Sequence, residues 1–120
     1  MVLVMRKSEI EKIRYVRKQI KVPQHKSIPY SDSWSRIVPT AGGIYLIHDL
    51  RGVLYIGRTN NIKRRFTEHL SGSSNYILNR AMITRAGTLF FSWNLSELPE
   101  QRNLETLLIK QFNPVCNRQI

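Results

Sequence analysis

Cysteine, acidic side chains and long apolar runs are all scarce in this sequence. The 120-residue chain has one cysteine, Cys116, so its own residues can form neither an internal disulfide nor a cysteine-based metal cluster. No run approaches the roughly 18 to 20 apolar residues of a membrane-spanning helix, and the opening MVLVM is too short for the apolar part of a secretion signal. We therefore expect one compact domain in the cytoplasm, with no membrane partner.

The shortage of acidic residues leaves a strongly basic chain. Nineteen lysines and arginines stand against eight aspartates and glutamates, which gives a net charge of +11. Such a field attracts polyanions and favours nucleic acid as the partner. A solubility effect, or packing inside a ribosome-like assembly, is the alternative that composition leaves open.

The first basic region is an N-terminal helix. The stretch SEIEKIRYVRKQI predicts an amphipathic helix that begins with a capping box of Ser8 and Glu11. Its basic side carries Arg14, Arg17 and Lys18. This side suits contact with DNA phosphates, and it equally suits exposure to solvent while the apolar stripe packs against the domain.

A segment rich in proline and serine follows this helix. Residues 22–40, VPQHKSIPYSDSWSRIVPT, contain three prolines and four serines without a regular period, which predicts a linker or an extended wrap around the domain. Tyr30, Trp34 and Ile37 indicate that parts of it are held by packing. We therefore divide the chain into residues 1–39, a basic helix with a linker, and a folded domain over residues 40–120.

From Gly42 onwards the sequence predicts regular elements. We predict three short strands, GIYLIH and VLYIG around the turn DLRG, and later TLFFSW. We predict three helices, NIKRRFTEHL, YILNRAMITR and EQRNLETLLIKQF, the last of which follows a loop ending near Pro99. Asn60 or Asn61 caps the first helix, Gly87 ends the second, and Asn113-Pro114 ends the third. We expect these residues to face inward: Ile62, Phe66, Leu70, Leu104, Leu107, Leu108 and Phe112. The predicted fold is α+β, with a small, mainly antiparallel three-stranded sheet flanked by helices in the order ββααβα.

The hairpin register decides whether Tyr45 and Tyr55 share a face of the sheet. A three-residue loop ending at Gly52 pairs Tyr45 with Gly57 and places both tyrosines on one face, whereas a two-residue loop separates them. Gly52 favours the longer loop, because glycine adopts left-handed backbone without steric cost. In that register Gly57 leaves bare backbone opposite Tyr45, which we interpret as an opening for a ligand.

The motifs GIY at 43–45 and YIG at 55–57, followed by RTNNIKRRFTEH and later by LETLLIKQFNPVCN, resemble the GIY-YIG nuclease family. The resemblance covers about residues 40 to 118. It implies a metal-dependent endonuclease in which Tyr45 activates water, while Tyr55 and His69 orient water or relay protons. It further implies that Arg65 stabilises the transition state and that Glu105 binds the metal.

The chemistry of phosphodiester cleavage constrains these roles further. With few carboxylates and Glu105 alone on the apolar side of its helix, the sequence favours a single Mg²⁺, or Mn²⁺, that keeps several waters. An unperturbed tyrosine has a pKa near 10, so we expect positive charge from Arg58, Arg65 and the metal to lower the pKa of Tyr45. His69 is the alternative base, because histidine titrates near neutral pH.

The expected partner is DNA, double-stranded or branched, with a protein partner or a homodimer left open. We predict DNA contacts at the following residues: Arg58, Lys63, Arg64, Asn117, Arg14, Arg17 and Lys18. For Asn117, holding the C-terminal turn is an equal alternative. The expected products are 5′-phosphate and 3′-hydroxyl ends. Two other functions stay open: a nucleic-acid-binding module that keeps the fold without catalysis, and a structural basic protein whose motif residues only pack.

Overall fold

The computed structural model describes residues 26–117. Within this range the strands are β1 (Lys26–Pro29), β2 (Gly43–Asp49), β3 (Gly52–Thr59) and β4 (Phe90–Leu95), and the helices are α1 (Ile62–Gly72), α2 (Tyr76–Ile83) and α3 (Leu98–Phe112). Short 3-10 segments span Asp32–Ile37 and Val115–Asn117. The predicted helix with Arg14, Arg17 and Lys18 lies outside the described residues.

The strands form one antiparallel sheet in the order β1-β4-β2-β3. The α+β class is confirmed, but the predicted count of three strands is wrong, because Lys26–Pro29 pairs with β4 as a fourth strand. This edge strand is short and ends in a proline, which an edge tolerates since only one side must supply hydrogen bonds. It therefore looks like a linker in the sequence.

The segment after β1 is only partly held by packing. Tyr30 is buried, as expected, but Trp34 is 42% exposed and Ile37 is 54% exposed. Their 3-10 segment touches α1 while turning these two side chains largely to solvent. The prediction that both are pinned by packing is wrong.

The two faces of the sheet bury separate cores. The larger core combines β1, one face of the other strands, α1 and α2, and it includes Tyr45, Phe66 and Phe91. The smaller core lies between the opposite face and α3, and it includes Ile44, Ile56 and Leu108. Strand β3 forms one edge of the sheet. Its side chains contribute to both cores, because the side chains of a strand alternate between the two faces.

The β2–β3 hairpin has the predicted pairing around the tyrosines. Tyr45 lies opposite Gly57, and Ile47 lies opposite Tyr55. Because residues two apart on a strand share a face, the two tyrosines lie on the same face of the sheet. The register predicted from the sequence is confirmed at these positions.

The turn that produces this register differs from the prediction. Asp49 pairs with Gly52, not with Val53, so the loop has two residues. A β-bulge between the Ile47 and His48 pairs leaves one extra residue on β3, and this residue offsets the shorter loop. Gly52 does adopt positive φ, at 108°.

The ends of the helices follow the local sequence signals closely. The Asn61 side chain accepts a hydrogen bond from the Arg64 backbone N–H and caps α1, and Asn113 adopts left-handed backbone at the end of α3. Helix α2 ends at Ile83, with the left-handed Gly87 lying farther along the loop. Pro99 lies in the first turn of α3 and not in a loop, a position where the missing N–H of proline is harmless.

The inward side of α3 is narrower than predicted. Leu108 is buried, but Leu107 is 41% exposed and Phe112 is 37% exposed. Helix α3 covers only the small core, so its side chains beyond the line through Leu104 and Leu108 turn to solvent. In the described part of the chain, no helix has the length and apolar content to cross a membrane.

Candidate active site

Tyr45 lies at the centre of the larger core and is fully buried. Its hydroxyl oxygen is 2.8 Å from Nε2 of His69, and its ring stacks on Phe91 with centroids 5.4 Å apart. A Cβ added at Gly57 would lie 2.3 Å from Cζ of Tyr45. The bare backbone at Gly57 is therefore filled by the tyrosine ring, and the predicted ligand opening at this point is wrong.

Tyr55 and His69 complete a cluster of three rings. The centroid of Tyr55 is 6.0 Å from that of Tyr45 and 5.6 Å from that of His69. Tyr55 is partly exposed, whereas His69 is buried on α1. The hairpin and helix thus bring together the aromatic residues that the sequence singled out, with Tyr55 as the member that reaches the surface.

Burial keeps the Tyr45–His69 pair neutral. It raises the pKa of Tyr45, the nearby Tyr55 raises it further, and Arg65 only partly opposes the effect. Burial and the positive charge of Arg65 lower the pKa of His69 to about 4. Arg65 thus lowers the pKa of Tyr45, as predicted, without outweighing burial, whereas the near-neutral pKa expected for His69 is wrong.

The protonation pattern of His69 is limited by its surroundings. Nε2 faces the Tyr45 hydroxyl, while Nδ1 is buried without a hydrogen-bond partner among the described residues. A neutral imidazole carries one proton on its two nitrogens. If that proton is on Nδ1, the lone pair of Nε2 is available to accept the Tyr45 hydroxyl proton.

Arg65 lies beside the ring cluster on α1. Its side chain is 39% exposed, and Nη1 donates to Oε2 of Glu68 at 3.0 Å. Its charge acts on Tyr45, Tyr55 and His69. We call Tyr45, Tyr55, Arg65 and His69 the aromatic side of the site.

Arg58 and Glu105 lie together on the opposite face of β3, which we call the carboxylate side. Nε of Arg58 is 3.4 Å from Oε1 of Glu105, and the side chains are 38% and 24% exposed. Burial raises the pKa of Glu105, while the charge and the backbone N–H of Arg58 oppose the rise. Arg58 thus acts on Glu105, and its predicted effect on Tyr45 is not observed.

The donors on the carboxylate side suit a hydrated cation. Among residues 26–117, no group of three or more His, Cys, Asp or Glu side chains is placed to hold a metal. Glu105 therefore offers a single partly exposed carboxylate. That donor set fits Mg²⁺, which binds through one or two carboxylates and retains waters, and does not fit a caged transition metal.

Asn117 holds the free edge of β3. Its Oδ1 accepts from the Ile56 backbone N–H at 2.8 Å, and its Nδ2 donates to the Ile56 carbonyl at 2.7 Å. These two bonds protect an edge that would otherwise present unpaired backbone groups. Holding the C-terminal turn in place, one of the two roles predicted for Asn117, is shown by these bonds, because both amide atoms bond to the strand.

Among residues 26–117, the remaining predicted DNA contacts lie on α1. Lys63 is partly exposed and Arg64 is exposed. Arg64 donates to Oδ1 of Asn60 at 2.8 Å and lies 3.5 Å from Glu68. The sequence interpretation missed Glu68, which pairs with Arg64 and Arg65, although its spacing of four and three residues from them is the ordinary signal for such pairs.

The sequence interpretation also missed the support beneath the ring cluster. Phe91 on β4 stacks on Tyr45 and meets Phe66 edge-on at 5.0 Å. Tyr30 packs on both phenylalanines. Alternation along β4 places Phe91 on one face with Trp93, so the predicted strand contained the signal for Phe91. The sequence predicted that Tyr30 packs against the domain, but not that it packs beneath the ring cluster.

Comparison with known proteins identifies the family. The GIY-YIG catalytic domain matches residues 41–119. The UvrABC system protein C of Trichlorobacter lovleyi is 32% identical over 83 residues, covering 68% of this chain and 14% of that protein. Its counterpart from Dictyoglomus thermophilum is 33% identical over 86 residues, covering 68% and 13%. The chain thus spans about one seventh of the length of these curated relatives.

Solved structures agree with this match at the level of the fold. The N-terminal GIY-YIG endonuclease domain of UvrC from Thermotoga maritima, bound to magnesium as its catalytic divalent cation, has a TM-score of 0.59 and 20% identity, covering 72% of this chain and 93% of that domain. A point mutant of the same domain with its divalent cation gives a TM-score of 0.60 over the same shares. This chain belongs to the GIY-YIG family, and its catalytic domain occupies residues 41–119.

Proposed function

We propose that this protein is a metal-dependent DNA endonuclease that hydrolyses phosphodiester bonds and leaves 5′-phosphate and 3′-hydroxyl ends. The observation that carries the proposal is the buried contact between the Tyr45 hydroxyl and Nε2 of His69, at 2.8 Å, beside Arg65. Across the same strand lies the partly exposed carboxylate of Glu105. Family membership and the UvrC relatives support this reading of the geometry.

Glu105 is the residue that would hold Mg²⁺ or Mn²⁺. When bound, such an ion supplies stabilisation of the negative charge on the phosphate oxygens and the leaving oxygen. Arg58 already neutralises Glu105 in part, at 3.4 Å. Its guanidinium is well placed to turn to a DNA phosphate when another cation takes over that carboxylate.

The Tyr45–His69 pair provides a route for the proton of the attacking water. The water O–H bond breaks as the proton moves to the Tyr45 oxygen, and the Tyr45 proton passes at the same time to Nε2 of His69. Nδ1 then retains its proton, so His69 becomes imidazolium and the ring cluster holds one extra proton. The 3′-alkoxide that leaves takes its proton from solvent, and His69 returns its proton afterwards.

Arg65 and Tyr55 act at the edge of this cluster. Arg65 is planar and half-exposed, so it can grip two oxygens of the phosphate as their charge grows. Tyr55 is the ring that extends from the buried pair to the surface. We assign to it the orientation of the attacking water.

DNA is the proposed partner, in double-stranded or branched form. Arg64 and Lys63 on α1 are placed to supply phosphate contacts next to Arg65, and the basic residues near the N-terminus add further positive charge to the chain. Binding through several phosphates should weaken steeply as salt rises. A protein partner or a homodimer would set which DNA is cut.

Nicking of supercoiled plasmid tests the proposal. We expect the wild type to cut with Mg²⁺ and to stop with EDTA, and we expect Glu105→Gln to lose at least about a thousandfold in rate. Glu100→Gln is the matched control, because Glu100 lies in the same helix and is exposed, and among the described residues the ion pair of Arg58 is with Glu105. End-labelling of the product checks for the 5′-phosphate.

One observation favours a second function. Tyr45 is fully buried, which suits a packed ring in a nucleic-acid-binding module without catalysis. That alternative predicts salt-sensitive DNA binding by the folded wild type with no cutting in Mg²⁺ or Mn²⁺. The same plasmid assay, run beside a binding assay, decides between the two.

A further inference from the structure

Tyr30 lies outside the part of the chain that matches the family, yet it reaches the centre of the catalytic domain. The matched domain begins at residue 41, and Tyr30 follows directly after β1. Its backbone N–H donates to the Leu89 carbonyl at 2.7 Å, and only 4% of the residue is exposed. The sheet therefore fixes the point from which its side chain enters the core.

The side chain of Tyr30 joins the sheet to helix α1. Its ring centroid is 4.7 Å from that of Phe66 on α1 and 5.0 Å from that of Phe91 on β4. Its hydroxyl donates to the backbone carbonyl of Phe66 at 2.7 Å. One residue thus contacts α1, which carries His69, and the Phe91 ring of β4, which stacks on Tyr45.

The two phenylalanines that Tyr30 contacts are direct neighbours of the proposed reacting residues. Phe66 is the neighbour of Arg65 on α1 and precedes His69 by about one turn. Phe91 stacks directly on Tyr45. A slide or rotation of α1 against the sheet would change the distance between the Tyr45 oxygen and Nε2 of His69, and the Tyr30 hydroxyl resists that movement.

The hydrogen bond is not needed to satisfy the backbone. The Phe66 carbonyl lies inside α1, where the N–H four residues later is its ordinary partner, and a carbonyl oxygen accepts a second bond through its other lone pair. Removing the Tyr30 hydroxyl therefore leaves no unpaired carbonyl. A purely structural role would need only the ring, which phenylalanine also supplies.

We propose that Tyr30 is a positioning residue for the nuclease reaction: its hydrogen bond to Phe66 sets where α1 lies, so that His69 meets Tyr45 and Arg65 faces the same site. The inference rests on the proposed function for its catalytic consequence. It extends the working unit of the enzyme to β1 and the turn after it, beyond the matched domain.

Two further backbone hydrogen bonds hold the start of α1 in place. The first turn of α1 has backbone N–H groups without partners inside the helix. Those of Ile62 and Lys63 donate to the carbonyls of Ala41 and Pro39, both at 2.9 Å. The segment that precedes β2 thus fixes the start of α1, and Tyr30 fixes its middle.

The test is Tyr30→Phe in the full chain, with Tyr76→Phe as the matched control. Tyr76 is 72% exposed, and its hydroxyl accepts a bond from Arg80 at the surface. We expect Tyr30→Phe to lower the nicking kcat about tenfold, since a misplacement of about 1 Å can cost more than that. The Kd for DNA should stay within about twofold, because the hydroxyl contacts no DNA-facing group. Tyr76→Phe should leave kcat unchanged.

A second measurement does not depend on activity. The ring ¹⁵N resonances of His69 should shift in Tyr30→Phe and not in Tyr76→Phe, because only the first change alters the contact with Tyr45. Unchanged His69 resonances in Tyr30→Phe overturn the inference, as does an unchanged kcat. If the wild type does not cut DNA at all, the proposed function fails, and the His69 resonances alone decide whether Tyr30 positions the pair.

Discussion

The two sides of strand β3 differ in their contact with water. On the aromatic side, Tyr45 is fully buried and His69 is 6% exposed. On the carboxylate side, the side chains of Arg58 and Glu105 are 38% and 24% exposed. Burial disfavours the charged forms of Tyr45 and His69 and keeps both groups neutral, whereas Mg²⁺ retains water ligands and needs access to solvent. One edge strand, β3, separates these two environments.

On the aromatic side, Tyr45→Phe should give the largest loss of activity, because it removes the proton acceptor while keeping the ring. We expect nicking to fall by about a hundredfold to ten-thousandfold. The free energy of unfolding should fall by about 1 kcal/mol, since Nε2 of His69 loses its buried partner. Single-turnover nicking and urea unfolding measure the two effects. A rate within threefold of wild type would show that the aromatic side does not transfer the proton.

Arg65→Lys should have a smaller effect, because it keeps the charge and loses the planar fork. We expect a decrease of about ten- to a hundredfold in kcat. Arg64→Lys is the matched control, since Arg64 is the exposed neighbour that shares Glu68 with it. An equal loss in both variants would mean that α1 contributes charge to DNA binding and no specific contact to the reaction.

Gly57→Ala and Gly52→Ala separate packing at the site from strain in the turn. A Cβ at Gly57 would overlap the Tyr45 ring, whereas a Cβ at Gly52 meets nothing within 4 Å but is strained at φ 108°. We expect both changes to lower the free energy of unfolding by about 1 to 3 kcal/mol. Only Gly57→Ala should lower the nicking rate per folded molecule, by about tenfold. Equal rates in the two variants would contradict a tightly held Tyr45.

Acid should weaken the fold through His69. Its pKa is lowered from 6.5 to about 4, so below pH 6.5 the unfolded chain binds a proton that the folded protein excludes. Stability should therefore be full above pH 6.5 and should fall by up to about 1.4 kcal/mol per pH unit towards pH 4. His69→Gln should flatten this slope in thermal unfolding. The same slope in the variant would contradict a dry aromatic side.

Asp49 is a second titrating group whose effect on stability can be distinguished from that of His69. Burial raises the pKa of Asp49, but hydrogen bonds from Arg51 and from the Ala86 backbone N–H, together with the charge of Arg51, outweigh burial and lower the pKa below its ordinary value. Stability from this carboxylate is thus present above the ordinary aspartate pKa and disappears only at lower pH than the His69 effect. The two contributions are therefore separable by the pH at which each appears.

The parts of the fold that the sequence predicts well are the local ones. The Asn61 cap, the end of α3 at Asn113 and the pairing of Tyr45 with Gly57 depend on residues that are close in sequence. The bulge on β3 escaped prediction, because a shorter loop with an extra strand residue gives the same register. Strand β1 escaped it because only its pairing with β4, far along the chain, makes Lys26–Pro29 a strand.

In the site as well, local sequence predicts some features, while contacts between distant residues determine others. Its residues were found by motif, but their environments depend on long-range packing. The bonds of Asn117 join residues 61 positions apart, and the Tyr30 bond joins residues 36 apart. The burial that raises the pKa of Tyr45 comes from β4 and α1 together. A motif identifies which side chains meet, whereas the long-range packing of the fold determines how far each of them is exposed to solvent.

Binding of Mn²⁺, followed by electron paramagnetic resonance, tests the central claim most directly, because it separates the two sides without requiring cleavage. The account predicts that Tyr45→Phe binds Mn²⁺ with the affinity of wild type and that Glu105→Gln loses at least about tenfold. Glu100→Gln should match wild type. Equal binding by wild type and Glu105→Gln, or a comparable loss in Tyr45→Phe, would contradict the assignment of the metal to the carboxylate side.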